Sequence, residues 1–158
     1  MPVDTPLFRH AMAHLATGVT VLVGREAGGG FIGMTASAVT SLSLEPPMVL
    51  ACIGHAAAAH DALTGGEGFS LNILAADQEE VSRRFATRDV QRFDGVGLDR
   101  TPAGFPRLLG VLACLEVRRA TVHQGGDHAI VVGVVEWAWA RDGEPLLYFL
   151  GGYARVAR

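Results

Sequence analysis

The sequence contains no lysine: all 13 of its Lys and Arg positions are arginine. Schiff-base chemistry on an amine and the phosphate-loop lysine are therefore excluded. Cysteine is nearly as scarce, with Cys52 and Cys114 alone and in no paired spacing of the zinc or redox kind. Both thiols read as small fillers of apolar strands in a reduced, cytoplasmic protein. Long apolar runs are missing too: the longest, residues 48–53 and 129–135, fall well short of the roughly 18 that a membrane span needs. Pro2 and Asp4 interrupt the start, so no signal peptide is expected. Net charge is −3 and no basic tract is interleaved with aromatics, which gives little electrostatic support for nucleic-acid binding.

What is present is a chain of 158 residues, 49% hydrophobic and 18% charged, the balance of one compact domain over residues 1–158. Thr5 and Pro6 read as the start of an amphipathic helix carrying Phe8, Ala11, Met12 and Leu15, stopped at Gly18. Residues 19–23 read as a strand, Gly28-Gly29-Gly30 as a turn and 31–40 as the returning strand, with Pro46-Pro47 resetting the direction. Residues 48–53 suit a fully buried strand and 69–74 another, with a short helix at His60-Asp61-Ala62-Leu63 between them. Asp77 and Glu80 make a capping-box-like start for a helix carrying Val81 and Phe85. From Val111 the pattern is β: 111–123, a turn at 124–127, 128–140, a turn at 141–144, then 146–150, a three-stranded meander. Hairpins outnumber crossovers, so the expected fold is mainly β, an antiparallel closed or partly closed barrel with covering helices.

Gly28 to Gly33 matches the dinucleotide fingerprint by letter, but residues 35–43 are rich in Thr, Ser and β-branched side chains where that fingerprint needs a helix. A hairpin turn is the better reading. His10 and His14 lack a third ligand and read as a solvated helix face, so no metal site is expected. Segment 33–47 is the most distinctive, with five hydroxyl residues in the nine positions from Thr35 to Ser43. Such density serves a solvent-facing strand and a polar-lined site equally well.

That segment, with Ala16-Thr17-Gly18-Val19-Thr20-Val21 before it and Gly126-Asp127-His128 after it, resembles the flavin reductase family. These are the small reductase components of two-component flavin-dependent monooxygenases. The resemblance runs from about Phe8 to Tyr153 and includes Glu45-Pro46-Pro47, His60-Asp61, Asn72-Ile73-Leu74, Arg83-Arg84-Phe85, Arg92-Phe93 and Gly143 to Tyr148. It implies an FMN-binding type of split β-barrel, homodimeric, with FMN or FAD near the subunit interface. NADH or NADPH reduces that flavin, which then serves a partner monooxygenase. By the resemblance, Thr35, Ala36 and Ser37 would meet the flavin ring edge and ribityl chain, and Ser41, Leu42 and Ser43 would continue the wall. Cys52 and Ile53 would pass beside the flavin, while Ala59 and His60, at a helix start, would turn amides toward the phosphate. Asn72, a polar residue in an apolar strand, has the flavin ring or a backbone carbonyl as its partner. Phe85 and Phe93 are candidates to cover the site, with helix-face packing the alternative for Phe85. His128 matches the family histidine beside the nicotinamide and is the catalytic candidate for orienting the donor; from sequence alone, a hairpin histidine is more often merely a surface residue. Two other readings stay open: a related split-barrel oxidoreductase acting directly on an organic substrate, and a non-catalytic flavin- or haem-binding module.

The sequence departs from its relatives at Gly54-His55-Ala56-Ala57-Ala58-Ala59-His60, where Ser and Thr are common with a basic side chain nearby. Each hydrogen bond lost to a charged oxygen weakens binding by about 1.5–3 kcal/mol. Loose flavin binding is the expectation. The segment holding Tyr148 and Tyr153 likewise lacks the basic or histidine side chains common in relatives, which favours NADH over NADPH.

Overall fold

The structure, a computed structural model, describes residues 1–88 and 92–158. Helix α1 (Thr5–Met12) opens the chain, capped by Asp4 rather than Thr5: the carboxylate accepts the Leu7 amide at 2.8 Å. The helix ends well before Gly18, and none of its residues is buried. There follow β1 (Thr17–Gly18), β2 (Thr20–Arg25), β3 (Phe31–Ala36), β4 (Val39–Leu44), β5 (Pro47–Gly54), α2 (His60–Gly65), β6 (Gly68–Ile73) and α3 (Glu79–Phe85). The rest is β: β7 (Leu98–Arg100), β8 (Pro106–Leu108), β9 (Ala113–Gly125), β10 (His128–Ala140), β11 (Leu147–Phe149) and β12 (Gly152–Ala154). No helix among the described residues is long and apolar enough to cross a membrane.

Seven strands form one antiparallel sheet in the order β3-β2-β6-β9-β10-β5-β4. Its two edge strands, β3 and β4, are consecutive in the chain and separated only by Ser37 and Ala38. A sheet whose first and last strands share so short a link must curl until its edges approach, which makes a barrel. No ladder pairs β3 with β4 among the described residues, so the barrel keeps an open seam. The single strand expected over 31–40 is therefore two strands. Closure of the barrel, a long-range demand, overrides a stretch whose local preference is for strand throughout.

Leu22, Ala51, Ile53, Phe69, Leu71 and Val131 belong to the core inside the barrel. A second core places Val21, Val23, Phe85, Leu108 and Leu146 between the other face of β2 and α3. Buried on both sides, β2 is a continuous apolar run. The full burial expected of β5 is not found: Val49, Ala51 and Ile53 point inward, while Met48, Leu50 and Cys52 are half-buried, because only one face of the strand meets a core.

β9 and β10 make a long hairpin across Gly126 and Asp127, with Gly126 at φ +63 as a tight two-residue turn requires. The third strand of the expected meander goes elsewhere: β11 pairs with β1 and β12 in a separate sheet, and the other neighbour of β10 is β5. The Arg141 guanidinium ties the crossing segment to the carbonyls of Val111 (3.1 Å) and Gly110 (2.7 Å), and the Leu146 amide bonds the Leu74 carbonyl at 3.2 Å. These bonds draw the chain away from the hairpin and over the second core. The capping box does not form either. Gln78 is the N-cap of α3, with its own side chain engaged by the Ala75 amide and the Leu109 carbonyl, both at 2.9 Å.

Candidate active site at the barrel seam

A cavity of about 740 Å³ opens at the seam, between the Leu15 to Gly18 segment, the Ser37 to Ser41 segment, and Leu50 and Cys52 of β5. Leu71, Ile73 and Leu115 close its inner end. Its volume lies within the range of about 300–1,000 Å³ typical of small-molecule sites. The walls are apolar apart from backbone and hydroxyl groups, and the Ser37 and Ser41 hydroxyls have no hydrogen-bond partner among the described residues. Among the described residues no charged side chain lines it. Such a cavity suits a flat, largely apolar ring with a hydrogen-bonding edge, and a phosphate attached to that ring would have to lie outside.

The structure brings Ser37, Ser41 and Cys52 to this cavity and sends other expected residues elsewhere. Thr35 donates to the Ser82 carbonyl at 2.6 Å, toward α3. Ala36, Ile53 and Ala59 are buried with the barrel core. Leu42 is exposed and Ser43 half-buried further along β4, neither of them in the lining. Asn72 is wholly buried: its amide donates to the Val21 carbonyl and to Ser70 Oγ, both at 3.2 Å, and its Oδ1 accepts the Leu108 amide at 3.0 Å. The backbone is its partner, and the side chain bolts β6 to β2 and β8. Phe85 is 1% exposed and packs edge-on against Phe93 with ring centres 5.1 Å apart, so helix packing accounts for it. The Tyr153 hydroxyl lies 2.7 Å from Ser82 Oγ, on the α3 side.

At the alanine run the amides of Ala57 and His60 bond the carbonyls of Gly54 and Ala57, both at 3.0 Å, so they close the local turn instead of facing a phosphate. His60 Nδ1 meets Asp61 at 3.0 Å and the ring stands edge-on to His55, centres 5.4 Å apart. Arg88, expected from the sequence near the end of α3 and found three residues beyond it, donates to the Ala56 carbonyl at 2.7 Å and brings a cation to the run.

His128 pairs with Gly54, and two residues further along β10 Ile130 pairs with Cys52. Paired residues share a face of an antiparallel sheet, so His128 stands on the face of Cys52, about 7 Å along the strand. Its Nδ1 lies 2.7 Å from the Asp127 carboxylate. That hydrogen bond, followed by the charge of the imidazole, holds the Asp127 carboxyl below the usual range. A carboxylate can only accept, so the contact assigns the proton to Nδ1 and leaves Nε2 for other partners. Cys114 is different in kind from Cys52: burial pushes its thiol up to about 12, as befits an inert filler.

Residues 12–157 match the model of the flavin reductase like domain family. The chain is 40% identical over 151 residues to the FMN reductase (NADH) SmoA of Agrobacterium fabrum, covering 96% of this chain and 86% of that protein. It is 41% identical over 150 residues to the reductase component of a 4-hydroxyphenylacetate 3-monooxygenase from Thermus thermophilus, covering 94% and 95% respectively. Among solved structures, the NADH:FAD oxidoreductase SgcE6 of Streptomyces globisporus, in complex with NAD and FAD fragments, superposes with a TM-score of 0.92 at 35% identity, covering 99% of this chain and 97% of that one.

Proposed function

The chain belongs to the flavin reductase like domain family, and from that premise we propose that the seam cavity takes the ring of a flavin and that His128 meets the nicotinamide of the hydride donor. The protein is an NADH-dependent flavin reductase whose reduced flavin serves a partner monooxygenase. The observation that carries the site assignment is the cavity itself: apolar walls and, among the described residues, unpaired hydroxyls of Ser37 and Ser41 and no lining charge. Bound flavin supplies the hydride-accepting chemistry, and most of the protein's contribution to such a transfer is positioning. Leu15, Val39 and Leu50 exclude water from the ring, and Ser37 and Ser41 orient its polar edge. Asp127 holds the His128 imidazole in one tautomer and one orientation.

The test is absorbance of NADH with and without FMN, FAD or riboflavin: oxidation that depends on added flavin is expected. Flavin binding without oxidation would make the protein a carrier module instead. His128→Ala is expected to lower kcat/KM for NADH by about ten-fold with the circular dichroism spectrum unchanged, since the residue is half-exposed at a strand end. Unaltered kinetics would remove it from the site. With no lining charge and two amides of the alanine run already engaged, the flavin is held loosely and acts as a diffusible substrate. Gel filtration of protein loaded with FMN should therefore strip it well below one flavin per chain; stoichiometric retention would refute this.

A homodimer of these single-domain chains is part of the proposal. Its support is the apolar face that this chain leaves half-covered, with Leu50, Ile130 and Val132 side by side on β5 and β10, together with the exposed Leu7, Phe8 and Met12 of α1. A cytoplasmic setting accords with its two unpaired thiols.

A further inference from the structure

A second cavity, of about 450 Å³, lies between the turn that joins β7 to β8 and the neighbouring strands β6, β9 and β10. Among the described residues it has no lining residue in common with the seam cavity. Phe105, Val117 and Ala103 give it apolar walls, and Glu116 of β9 stands in the same lining. Glu116 is only 7% exposed, yet no cation pairs with it among the described residues. One of its carboxylate oxygens accepts the Ala103 amide at 2.7 Å. The other has no hydrogen-bond partner among the described residues and is not sealed away from the cavity. Buried charges are ordinarily paired, because burial removes hydration that only a counter-charge or hydrogen bonds can replace.

The walls are fixed in place. The Thr101 amide bonds the Phe105 carbonyl at 2.9 Å, the Phe105 amide bonds the Thr101 hydroxyl at 3.0 Å, and the Arg25 guanidinium carbon sits 5.3 Å from the centre of the Phe105 ring. The two arginines of the lining are engaged already: Arg118 Nε meets Glu136 at 2.5 Å, and Arg119 Nε donates to the Gly66 carbonyl at 2.6 Å. With Glu67 and Glu136 beside Glu116, carboxylates outnumber guanidiniums in the described lining by three to two, so the cavity favours a cation. A free carboxylate oxygen beside apolar walls is complemented by an ammonium on an apolar body, with a charge-assisted hydrogen bond at one end and packing against Phe105 and Val117 at the other. The chain has no lysine, so a second copy has no ε-ammonium to place there. The volume lies within the range of about 300–1,000 Å³ that holds a whole small molecule. We propose that the Glu116 cavity binds a small organic amine, a protonated nitrogen on an apolar body of about the size of one ring, at a site separate from the seam. Such a site stands whether or not flavin occupies the seam.

The test is calorimetric titration of the full chain with 2-phenylethylamine, against 2-phenylethanol, in which a hydroxyl replaces the ammonium. The amine should bind about ten-fold more tightly than the alcohol, and Glu116→Gln should remove about that factor for the amine alone. Glutamine keeps an oxygen for the Ala103 amide, so the variant should fold with its melting temperature unchanged. Equal affinity for the two ligands, or amine binding untouched by Glu116→Gln, overturns the proposal. A second measurement uses the native protein: on titration with the amine, the amide nuclear magnetic resonance signals of Ala103, Phe105 and Glu116 should move and those of Ser37 and Ser41 should not. The reverse pattern, or displacement of the amine by FMN, puts the amine at the seam and overturns the separate site. Tighter binding of Nα-acetyl-lysine methylamide than of 2-phenylethylamine makes the cavity a receptor for a protein side chain, and overturns the proposal of a free amine.

Discussion

Ala38→Trp is expected to lower kcat/KM for flavin by about 100-fold and to leave thermal stability unchanged. Ala38 is exposed in the two-residue link between the edge strands and lines the cavity, and its structural bond is made by its backbone, whose carbonyl accepts the Cys52 amide at 2.9 Å. An indole at that position does not disturb the ladder, but it occupies the space the ring would take. Re-opening a filled cavity costs about 3 kcal/mol, the upper end of typical overpacking penalties, and 1.4 kcal/mol is about ten-fold in rate. Steady-state NADH oxidation over a range of flavin concentrations measures it. A change of less than a few-fold would place the flavin somewhere other than the seam.

Asn72→Leu is expected to cost about 3 kcal/mol of stability, and to leave the KM for flavin unaltered at temperatures where the variant is folded. Leucine is close in volume but strands the buried Leu108 amide, which Asn72 Oδ1 satisfies, and removes the side-chain bond to the Val21 carbonyl, leaving that carbonyl its place in the β2–β6 ladder. A buried group left unpaired costs about 1–3 kcal/mol. For a chain of this size the loss corresponds to a melting temperature lower by about 6–12 °C. A urea titration gives the same quantity through its midpoint at constant slope. A raised KM with unchanged stability would return Asn72 to the flavin, the role that sequence reasoning left open.

Asn72 also shows how far a sequence can be read. A lone amide in an apolar strand announces that it is buried and bonded, yet the identity of its partners depends on β2 and β8, which lie 51 and 36 residues away from it. The hairpins β2–β3 and β9–β10 were legible because glycine-bearing turns and flanking β-formers are local signals. The seam was not, because nothing in the chemistry of residues 31–44 marks a break at Ser37; the break is imposed by where the seventh strand has to go. Likewise the burial of β5 was overestimated since an apolar run does not reveal that only one of its faces meets a core. At the site, the structure places Ser37, Ser41 and Cys52 together in the lining of the seam cavity, and the register of β5 and β10 puts His128 on the same face as Cys52. Strand alternation turns Thr35 to α3 and out of that cavity. The Leu15 to Gly18 wall is not legible as a site, because Ala16-Thr17-Gly18 carries no chemistry that marks a cavity lining.

The seam works as an expansion joint. In a fully laddered barrel the girth is fixed by the number of strands and their stagger, and a wider guest can enter only by breaking hydrogen bonds. Here the circumference is interrupted between β3 and β4, so the staves can part or close around Ser37 and Ala38 with every existing ladder intact. Admission and release of a flat guest then require no local unfolding, a property suited to a protein that must let its product go.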